Sequence, residues 1–458
     1  MTTTTEQMRA WTGPAILTFG FRPFFFGAAV WDVLAMALWV PMLSGQLIVP
    51  TAFDPVSWHA HEFLFGYLGA VVAGFLLTAV PNWTGRLPIV GWRLGMLAGL
   101  WLVGRVAVAV SGSLPALQVA IVDLAFPVVF ALLIAREIVA GKNWRNLIVL
   151  GMLGVFILGN ALFHWEAAQG DYAAQGYGLR LGLGAGIMMI AVIGGRVVPS
   201  FTRNWLVKRR SAVLPVAPMQ SFDKAALVVL ALALVLWVAL PLGALTGVAL
   251  ALAGVLHTLR LARWAGHRTF AEPLVTVLHV GYAFVPLGAL ALAAEILAPG
   301  PFGMAGAQHF WMAGAVGLMT LAVMTRATLG HTGQDLRAGA GTVTIYLALI
   351  LSVFARVAGS VWPEFSGPLN TFAGLFWTLA FGRFAVVYGA LLLRLPAAKR
   401  IGGAHPWDGS SSPSPISYSS CRIPCPCGRR SGPGFRRGLA LLASRWPTPP
   451  CHLRCWRG

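Results

Sequence analysis

The chain has 458 residues, of which 57% are hydrophobic and only 10% are charged. A soluble globular protein of this length carries far more surface charge, so the composition excludes that class and indicates an integral membrane protein. A net charge of +19 would also suit a nucleic-acid-binding protein, but most of it lies in short connections between apolar segments, which excludes a nucleic-acid partner.

Twelve segments are apolar and long enough to cross a bilayer, which takes a helix of about 20 residues. They are 22–43, 60–80, 92–111, 114–135, 145–165, 177–197, 222–240, 244–262, 273–297, 306–326, 341–361 and 367–394. We therefore predict an all-α membrane protein with an N-terminal segment (1–20), a twelve-helix transmembrane domain (21–395) and a tail (396–458). The lipid bilayer is its predicted partner, and the sequence does not indicate an oligomeric state.

Basic residues alternate between the two sides of the predicted bundle. Sixteen Lys and Arg residues lie in the connections 81–93, 136–145, 196–224, 260–270 and 326–340. The alternate connections, 44–58, 112–115, 166–176, 241–244, 298–307 and 361–368, contain none. By the positive-inside rule, both termini are predicted to lie in the cytoplasm. The segment around Glu6 has no small-residue cleavage site after a short apolar core, so a removable signal peptide is not predicted.

The composition changes at Gly409. Residues 409–458 contain eight Arg, eight Pro and all five Cys of the chain, but no Asp, Glu or Lys. Three of these cysteines, Cys421, Cys425 and Cys427, have a spacing that permits a metal site. Such a composition cannot bury a core, so we interpret the segment as disordered or out of frame.

A weak internal repeat relates three predicted helix ends. The segments 80–85, 198–202 and 330–333 are similar and close the second, sixth and tenth helices. A shift of 248 residues places His61 on His309. Glycine-rich helices match by chance as easily as by repetition, so both readings stay open. A true repeat predicts three arcs of four helices around a pseudo-three-fold axis.

Seven histidines are candidate metal ligands, because imidazole binds both haem iron and copper. The predicted topology places four near the outer surface: His59, His61, His164 and His309. It places His257, His279 and His331 toward the cytoplasm, as a rival or second site. A single intramembrane histidine is also common as a hydrogen-bonded packing residue, which is the alternative for each.

His61 and His309 are predicted to be the axial ligands of one haem. His59 and His61 are two residues apart, or roughly 200° on a helix, so they share a metal only if His59 precedes the helix. Glycines beside the predicted ligands either leave room for a macrocycle or allow close helix packing. These are Gly66, Gly69, Gly314 and Gly317.

Three arginines fall in the predicted outer half of the bilayer, where positive charge is otherwise absent: Arg105, Arg180 and Arg356. Guanidinium groups bind carboxylates bidentately, so we expect these residues to bind haem propionates. Pairing with Glu166, Asp171 or Glu364 is the alternative. Asp32 and Asp123 lie within predicted helices, where a carboxyl group relays protons or bonds to a neighbouring helix.

Five motifs closely resemble the NnrS family over residues 11–400. They are 21–25 (FRPFF), 58–62 (WHAHE), 79–85 (AVPNWTG), 194–204 (GGRVVPSFTRN) and 324–333 (MTRATLGHTG). The resemblance implies a bacterial inner (cytoplasmic) membrane protein that contains haem b and copper. It also implies a role in denitrification and in relieving nitrosative stress caused by nitric oxide.

The predicted repeat also resembles the catalytic subunits of haem–copper oxidases, in which helices two and ten supply the axial histidines of a haem. Helices six and seven of this chain contain no histidine, so the oxidase copper site is not reproduced. Enzyme status is therefore open, and an unidentified redox partner is expected if the protein carries electrons. The alternative functions are a transporter of a metal, haem or small solute and, ranked last, an assembly subunit.

Overall fold

The computed structural model describes residues 11–86, 88–300 and 302–394. The predicted cysteine-rich tail lies outside the described residues. Twelve helices of the described chain are long and apolar enough to cross a membrane, which confirms the predicted fold class. They are α1 (Phe21–Leu43), α2 (Pro55–Thr84), α3 (Trp92–Ala109), α4 (Ala116–Ala140), α5 (Trp144–Ala168), α6 (Tyr177–Lys208), α7 (Ser221–Ala239), α8 (Ala244–Arg268), α9 (Pro273–Leu297), α10 (Gly303–His331), α11 (Ala340–Val361) and α12 (Pro363–Leu393).

Four helices form the interior of the bundle. In α2, α6, α9 and α10, between 72 and 78% of the most apolar 18-residue stretch of the helix is buried, against 28 to 44% in the other eight helices. Helices α2, α6 and α10 also extend beyond the predicted apolar segments, and near the start of α2 the polar residues His61 and Glu62 find partners on neighbouring helices instead of lipid. The motif 58–62 therefore lies inside α2.

Each of α2, α6 and α10 contains a π-helical segment near its middle. The three segments are Glu62–Leu68, Ile190–Gly194 and Phe310–Leu318. A π-helical segment shifts the phase of all following side chains and disturbs the regular hydrogen bonding, which makes such segments common at functional sites. In α2, the Gly66 carbonyl accepts a hydrogen bond of 3.0 Å from Trp101 Nε1. These helices are the three of the predicted repeat, whose three-fold symmetry stays a prediction.

The similar ends of α2 and α10 share one helix-ending geometry. Gly85 and Gly333 follow these helices with φ of 69° and 71°, a left-handed conformation that favours glycine. Just before each glycine, a threonine hydroxyl donates to the carbonyl four residues earlier: Thr84 to Val80 and Thr332 to Thr328. The repeated Thr-Gly pair is therefore a helix stop signal.

The first and last helices pack against each other, with Arg22 at their contact. Arg22 is only 4% exposed and its Nη1 donates to the carbonyls of Leu392 and Arg394 at 3.0 and 2.9 Å. A cation at this position satisfies carbonyls that the end of α12 leaves without helical partners. The motif 21–25 thus joins α1 to α12.

Candidate metal and cofactor sites

Four consecutive helices, α2 to α5, enclose a group of six buried polar side chains that we call the polar cluster. No member is more than 6% exposed. The members are His61, Glu62, Arg105, Asp123, Asn160 and His164. Ionisable groups at such depth in a membrane bundle are paired with one another or bind a ligand.

Hydrogen bonds connect all six side chains of the polar cluster. His61 Nδ1 lies 2.9 Å from Glu62 Oε1, and its Nε2 lies 3.0 Å from Asn160 Oδ1 and 3.3 Å from Asp123 Oδ2. The same Asp123 oxygen accepts from Asn160 Nδ2 at 2.8 Å and lies 3.1 Å from His164 Nε2. Asp123 is therefore the centre of the cluster, and bonding to neighbouring helices accounts for its place within α4.

Arg105 joins the two carboxylates of the cluster. Its Nη1 donates to Glu62 Oε1 at 2.7 Å, and its Nη2 donates to Asp123 Oδ1. A Cβ at Gly66 would lie 2.5 Å from Arg105 Nη1, so only glycine leaves space for this guanidinium. The predicted propionate ligand Arg105 thus has two carboxylate partners within the protein, although neither is among those considered from the sequence.

The charges of the polar cluster do not balance when both imidazoles are neutral. Glu62 and Asp123 supply two negative charges, and Arg105 supplies one positive charge. A buried site requires near neutrality, so one further positive charge is favoured. A proton on His61 or His164 can supply it, and so can a metal cation, because ligand atoms of His61, Asp123 and His164 all lie within 4.8 Å of one another.

A second group of side chains forms what we call the His59 pocket, between α1, α2, α10, α11 and α12. Its cavity has a volume of about 60 Å³, room for roughly two water molecules. Its lining includes Met36, Trp39, His59, Phe63, His309, Met312, Ser352, Arg356, Asn370 and Trp377. The pocket therefore combines two predicted ligands with one predicted propionate-binding arginine.

The two imidazoles of the His59 pocket have nitrogen atoms without protein partners. His309 Nδ1 donates to the Ala305 carbonyl at 2.6 Å, so in the neutral ring Nε2 carries the free lone pair. The His59 ring stacks on Trp39 with centroids 4.0 Å apart, and its buried Nδ1 has no hydrogen-bond partner within the part of the chain that the structure describes. Arg356 Nη1 donates only to Ser360 Oγ, at 2.9 Å, among the described residues.

Other polar atoms of the His59 pocket are also buried without partners. They are Trp39 Nε1, Trp377 Nε1 and Asn370 Oδ1. Each unsatisfied buried group costs about 1–3 kcal/mol, so their concentration beside His59 indicates a site that a polar ligand completes. Both carboxyl oxygens of Asp32, one turn before Met36, are likewise buried without partners.

The structure does not bring His61 together with His309. His61 lies in the polar cluster, whereas His309 shares its pocket with His59. The reason is that α2 begins at Pro55, so both histidines of the motif are helical and their side chains diverge. Arg180 is not in either site: it donates to the Gln175 carbonyl and lies over the Tyr177 ring, 4.9 Å from its centroid.

The glycines near the predicted haem ligands face protein side chains. A Cβ at Gly314 would lie 2.5 Å from the Phe284 ring, and one at Gly317 would lie 3.0 Å from Trp377. At Gly69 the nearest atom, on Phe156, is 3.8 Å away. Close packing therefore accounts for Gly314 and Gly317, as it does for Gly66 beside Arg105.

The three remaining candidate histidines do not meet in one site. His257 uses both ring nitrogens, with Tyr282 Oη at 2.8 Å and the Ala226 carbonyl at 3.2 Å. His279 Nε2 lies 2.8 Å from the Thr202 hydroxyl. His331 stacks on Phe19 and Phe21. The contacts of His257 are those of a packing residue, the alternative stated for every histidine.

Sequence reasoning missed several residues of both sites. Asn160 in the polar cluster and Asn370 in the His59 pocket are amides within apolar helices, which is the signal that would have identified them. Trp39 and Trp377 gave no such signal, because tryptophan is frequent throughout this chain, at 18 residues. Only the packing shows that their indole nitrogens lie buried without partners.

Comparison with known proteins adds a family to this geometry. A family model described as "NnrS protein" matches residues 15–395, which include all twelve helices up to the end of α12. No curated protein matches the chain. Membership of this family suggests a membrane protein of the nitric oxide response, and the histidine and aspartate atoms of the polar cluster are compatible with a metal site. The chain belongs to the NnrS family.

Proposed function

We propose that this protein binds haem b and copper in a bacterial inner membrane and relieves nitrosative stress during denitrification. The family match supports the link to nitric oxide. The observation that carries the cofactor proposal is the His59 pocket, where two imidazoles and three further unpaired polar atoms converge. The polar cluster, formed on the adjacent turn of α2, supports a second metal.

The chemistry of the His59 pocket fits a haem with two histidine ligands. His309 has a free Nε2 and His59 an unpaired ring nitrogen among the described residues, and Arg356, which lines the same pocket, would bind a propionate. A cavity of about 60 Å³ does not hold a macrocycle, so haem binding would require the walls of the pocket to move apart, including the Trp39 ring that covers His59. We therefore propose that His59 and His309 would hold the haem iron, in place of His61 and His309.

The polar cluster fits a copper ion by charge and by ligand type. His61 and His164 supply imidazole nitrogens and Asp123 supplies a carboxylate oxygen, a donor set that binds copper. A bound cation would supply the positive charge that the two carboxylates and Arg105 leave missing. Glu62 would hold the His61 ring through Nδ1, while Nε2, which now lies beside Asn160 and Asp123, would exchange its contact with Asn160 for the metal.

Haem b and copper, when bound, supply one-electron redox chemistry. A haem with two histidine ligands has no open coordination position, which favours electron transfer or sensing over direct binding of nitric oxide. The protein itself would orient the ligands, exclude water from the buried sites and compensate their charge. Such a role requires a redox partner, whereas direct turnover of nitric oxide would require one ligand to leave.

The test combines a cell assay with spectroscopy of the purified protein. Cells that lack the protein should grow more slowly under nitric oxide, and the wild-type gene should restore growth. His59→Ala and His309→Ala, expressed at equal levels, should fail to restore it, whereas the packing variant His257→Phe should succeed. The purified wild type should show a low-spin haem b spectrum and contain copper.

The alternative function, a transporter with histidines along its passage, makes opposite predictions. The purified protein would then be colourless, and vesicles containing it would take up a metal, haem or solute in a histidine-dependent manner. The hydrogen bonds within the polar cluster already involve both nitrogens of His61, which does not favour an open passage. A colourless, metal-free protein that still restores growth would disprove the cofactor proposal.

A further inference from the structure

A large cavity lies at the other end of the inner helices and belongs to neither metal site. Its volume is about 390 Å³, against about 60 Å³ for the His59 pocket. We call it the Arg326 pocket. Helices α1, α2, α6 and α10 line it, and its wall includes Phe75, Asn82, Val197, Phe201, Arg326 and His331.

Four of the five family-like motifs meet in this pocket. The motifs 21–25, 79–85, 194–204 and 324–333 each contribute at least two lining residues, and together they supply most of the wall. Some of these residues have structural roles, such as the helix stop that follows Trp83. The pocket nevertheless explains why aromatic and polar residues from four distant segments are directed to one place.

Arg326 is a charged residue of the pocket wall, and no carboxylate of the described residues pairs with it directly, although Glu272 attracts it from a longer distance. Among the described residues it forms no ion pair within 4.0 Å and no hydrogen bond; its guanidinium lies 4.0 Å from the centroid of the Phe201 ring. The carboxylate of Glu272 accepts instead from the backbone amides of Leu274 and Ala338. A half-buried guanidinium among aromatic rings therefore favours an anionic ligand.

An apolar slot continues from the pocket toward the middle of the bundle. Its volume is about 80 Å³, and it shares Phe75, Val197 and Val323 with the Arg326 pocket. The remaining lining is almost wholly apolar and includes Leu68, Val71, Ile190 and Met319. The slot lies between α2, α6 and α10, so it suits a single narrow apolar chain better than a branched one.

From this arrangement we propose that the Arg326 pocket binds an acidic amphiphile with one apolar chain. The carboxylate or phosphate head would pair with Arg326, near Asn82 and the exposed His331, and the chain would extend past Phe75 into the slot. A fatty acid and a single-chain phospholipid share this chemistry. The proposal goes beyond the proposed function and does not depend on haem or copper.

Native mass spectrometry of the full-length detergent-solubilised protein tests the proposal with defined probes. Oleate and oleyl phosphate represent the two acidic heads, and oleyl alcohol has the same chain without charge. We expect at least one acidic probe to bind the wild type roughly tenfold or more tightly than the alcohol, because an ionised head adds charge-assisted hydrogen bonds. The acidic probe that binds more tightly identifies the ligand as a fatty acid or as a single-chain phospholipid. The mass of any co-purified ligand gives an independent assignment.

Variants distinguish recognition of the head from recognition of the chain. Arg326→Gln should weaken binding of the acidic probe roughly tenfold or more, whereas Arg326→Lys should retain part of it and Arg203→Gln, at an exposed site on α6, should retain all of it. Ile190→Trp, at a residue that lines the slot but not the Arg326 pocket, should weaken binding of oleate but not of decanoate. Circular dichroism and size-exclusion profiles establish that each variant is folded.

Two results would overturn this assignment. The first is an affinity for both acidic probes that Arg326→Gln leaves unchanged in a folded protein. The second is binding of oleyl alcohol to the wild type as tightly as the acidic probes bind. Displacement of oleate by the neutral quinone analogue decylubiquinone, to the same extent in the wild type and in Arg326→Gln, would count as the same result. Either result would show that the pocket binds apolar molecules irrespective of the charge on their head group.

Discussion

His59 and His61 lie two residues apart on α2, yet their side chains belong to different sites. The His59 ring stacks on Trp39 with centroids 4.0 Å apart, whereas the His61 ring bonds to Glu62 and Asn160. One turn of one helix therefore contributes to both the His59 pocket and the polar cluster. This divergence permits experiments in which the two proposed cofactors respond to different substitutions.

The haem should depend on His59 and His309 and not on His61. We expect His59→Ala and His309→Ala to lose the low-spin bands of the reduced spectrum, because each removes an imidazole from the pocket. His61→Ala serves as the control and should retain the bands. Loss of the bands in His61→Ala together with their retention in His59→Ala would restore the pairing predicted from the sequence.

Copper content should follow the opposite pattern. His61→Ala and His164→Ala each remove one of three ligand groups. We therefore expect the affinity for copper to fall tenfold or more, which corresponds to a loss of about 1.4 kcal/mol in binding free energy or more. Inductively coupled plasma mass spectrometry after dialysis against a weak chelator measures the retained metal. His59→Ala should retain copper, and equal loss in all three variants would contradict two separate sites.

Arg105 should be essential for the stability of the polar cluster. Arg105→Gln leaves two buried carboxylates without their cation, so we expect a loss of about 3–5 kcal/mol in the free energy of unfolding. Arg86→Gln is the matched control, since the Arg86–Glu137 pair is partly exposed and such pairs contribute at most about 1 kcal/mol. Unfolding in mixed micelles with increasing dodecyl sulfate compares the two, and similar losses would argue against buried pairing.

Gly66 should not tolerate a side chain, unlike a glycine on the neighbouring helix. A Cβ at this position would lie 2.5 Å from Arg105 Nη1, so Gly66→Ala displaces the guanidinium and should cost about 1–3 kcal/mol. Gly99→Ala on α3 meets no atom within 4 Å and should be neutral or stabilise the helix by about 0.5–1 kcal/mol. Thermal unfolding of both variants measures this difference. Equal melting temperatures would count against the close approach of Arg105.

His257 should affect stability but not cofactor content. Both of its ring nitrogens have protein partners, Tyr282 and Ala226, and among the described residues it belongs to no group of converging metal-ligand atoms, unlike His61. We expect His257→Phe to lower the melting temperature while the haem spectrum and the copper content per folded protein remain those of the wild type. A selective loss of copper in this variant would return His257 to the candidate ligands.

The sequence alone determined the class of protein, the number of helices and the family. Apolar runs of about 20 residues specify spanning helices through local composition, and all twelve predicted segments are helical in the structure. The family-like motifs are local as well, and the family match covers residues 15–395. Apolar runs and family motifs both consist of residues that are close together along the chain, so the sequence alone is enough to identify them.

Only the tertiary structure decided which side chains meet. The polar ends of α2 continue as helix because other helices satisfy them, so His59 and His61 diverge, and the π-helical segment Glu62–Leu68 then changes the phase of all later residues. Asn160 and Asp123 reach His61 from two other helices, Arg105 reaches Glu62 from a third, and Arg356 of α11 lines the same pocket as His309 of α10. The rotation and packing of each helix depend on all twelve helices together. A small change in the rotation of one helix would direct a different histidine into a site.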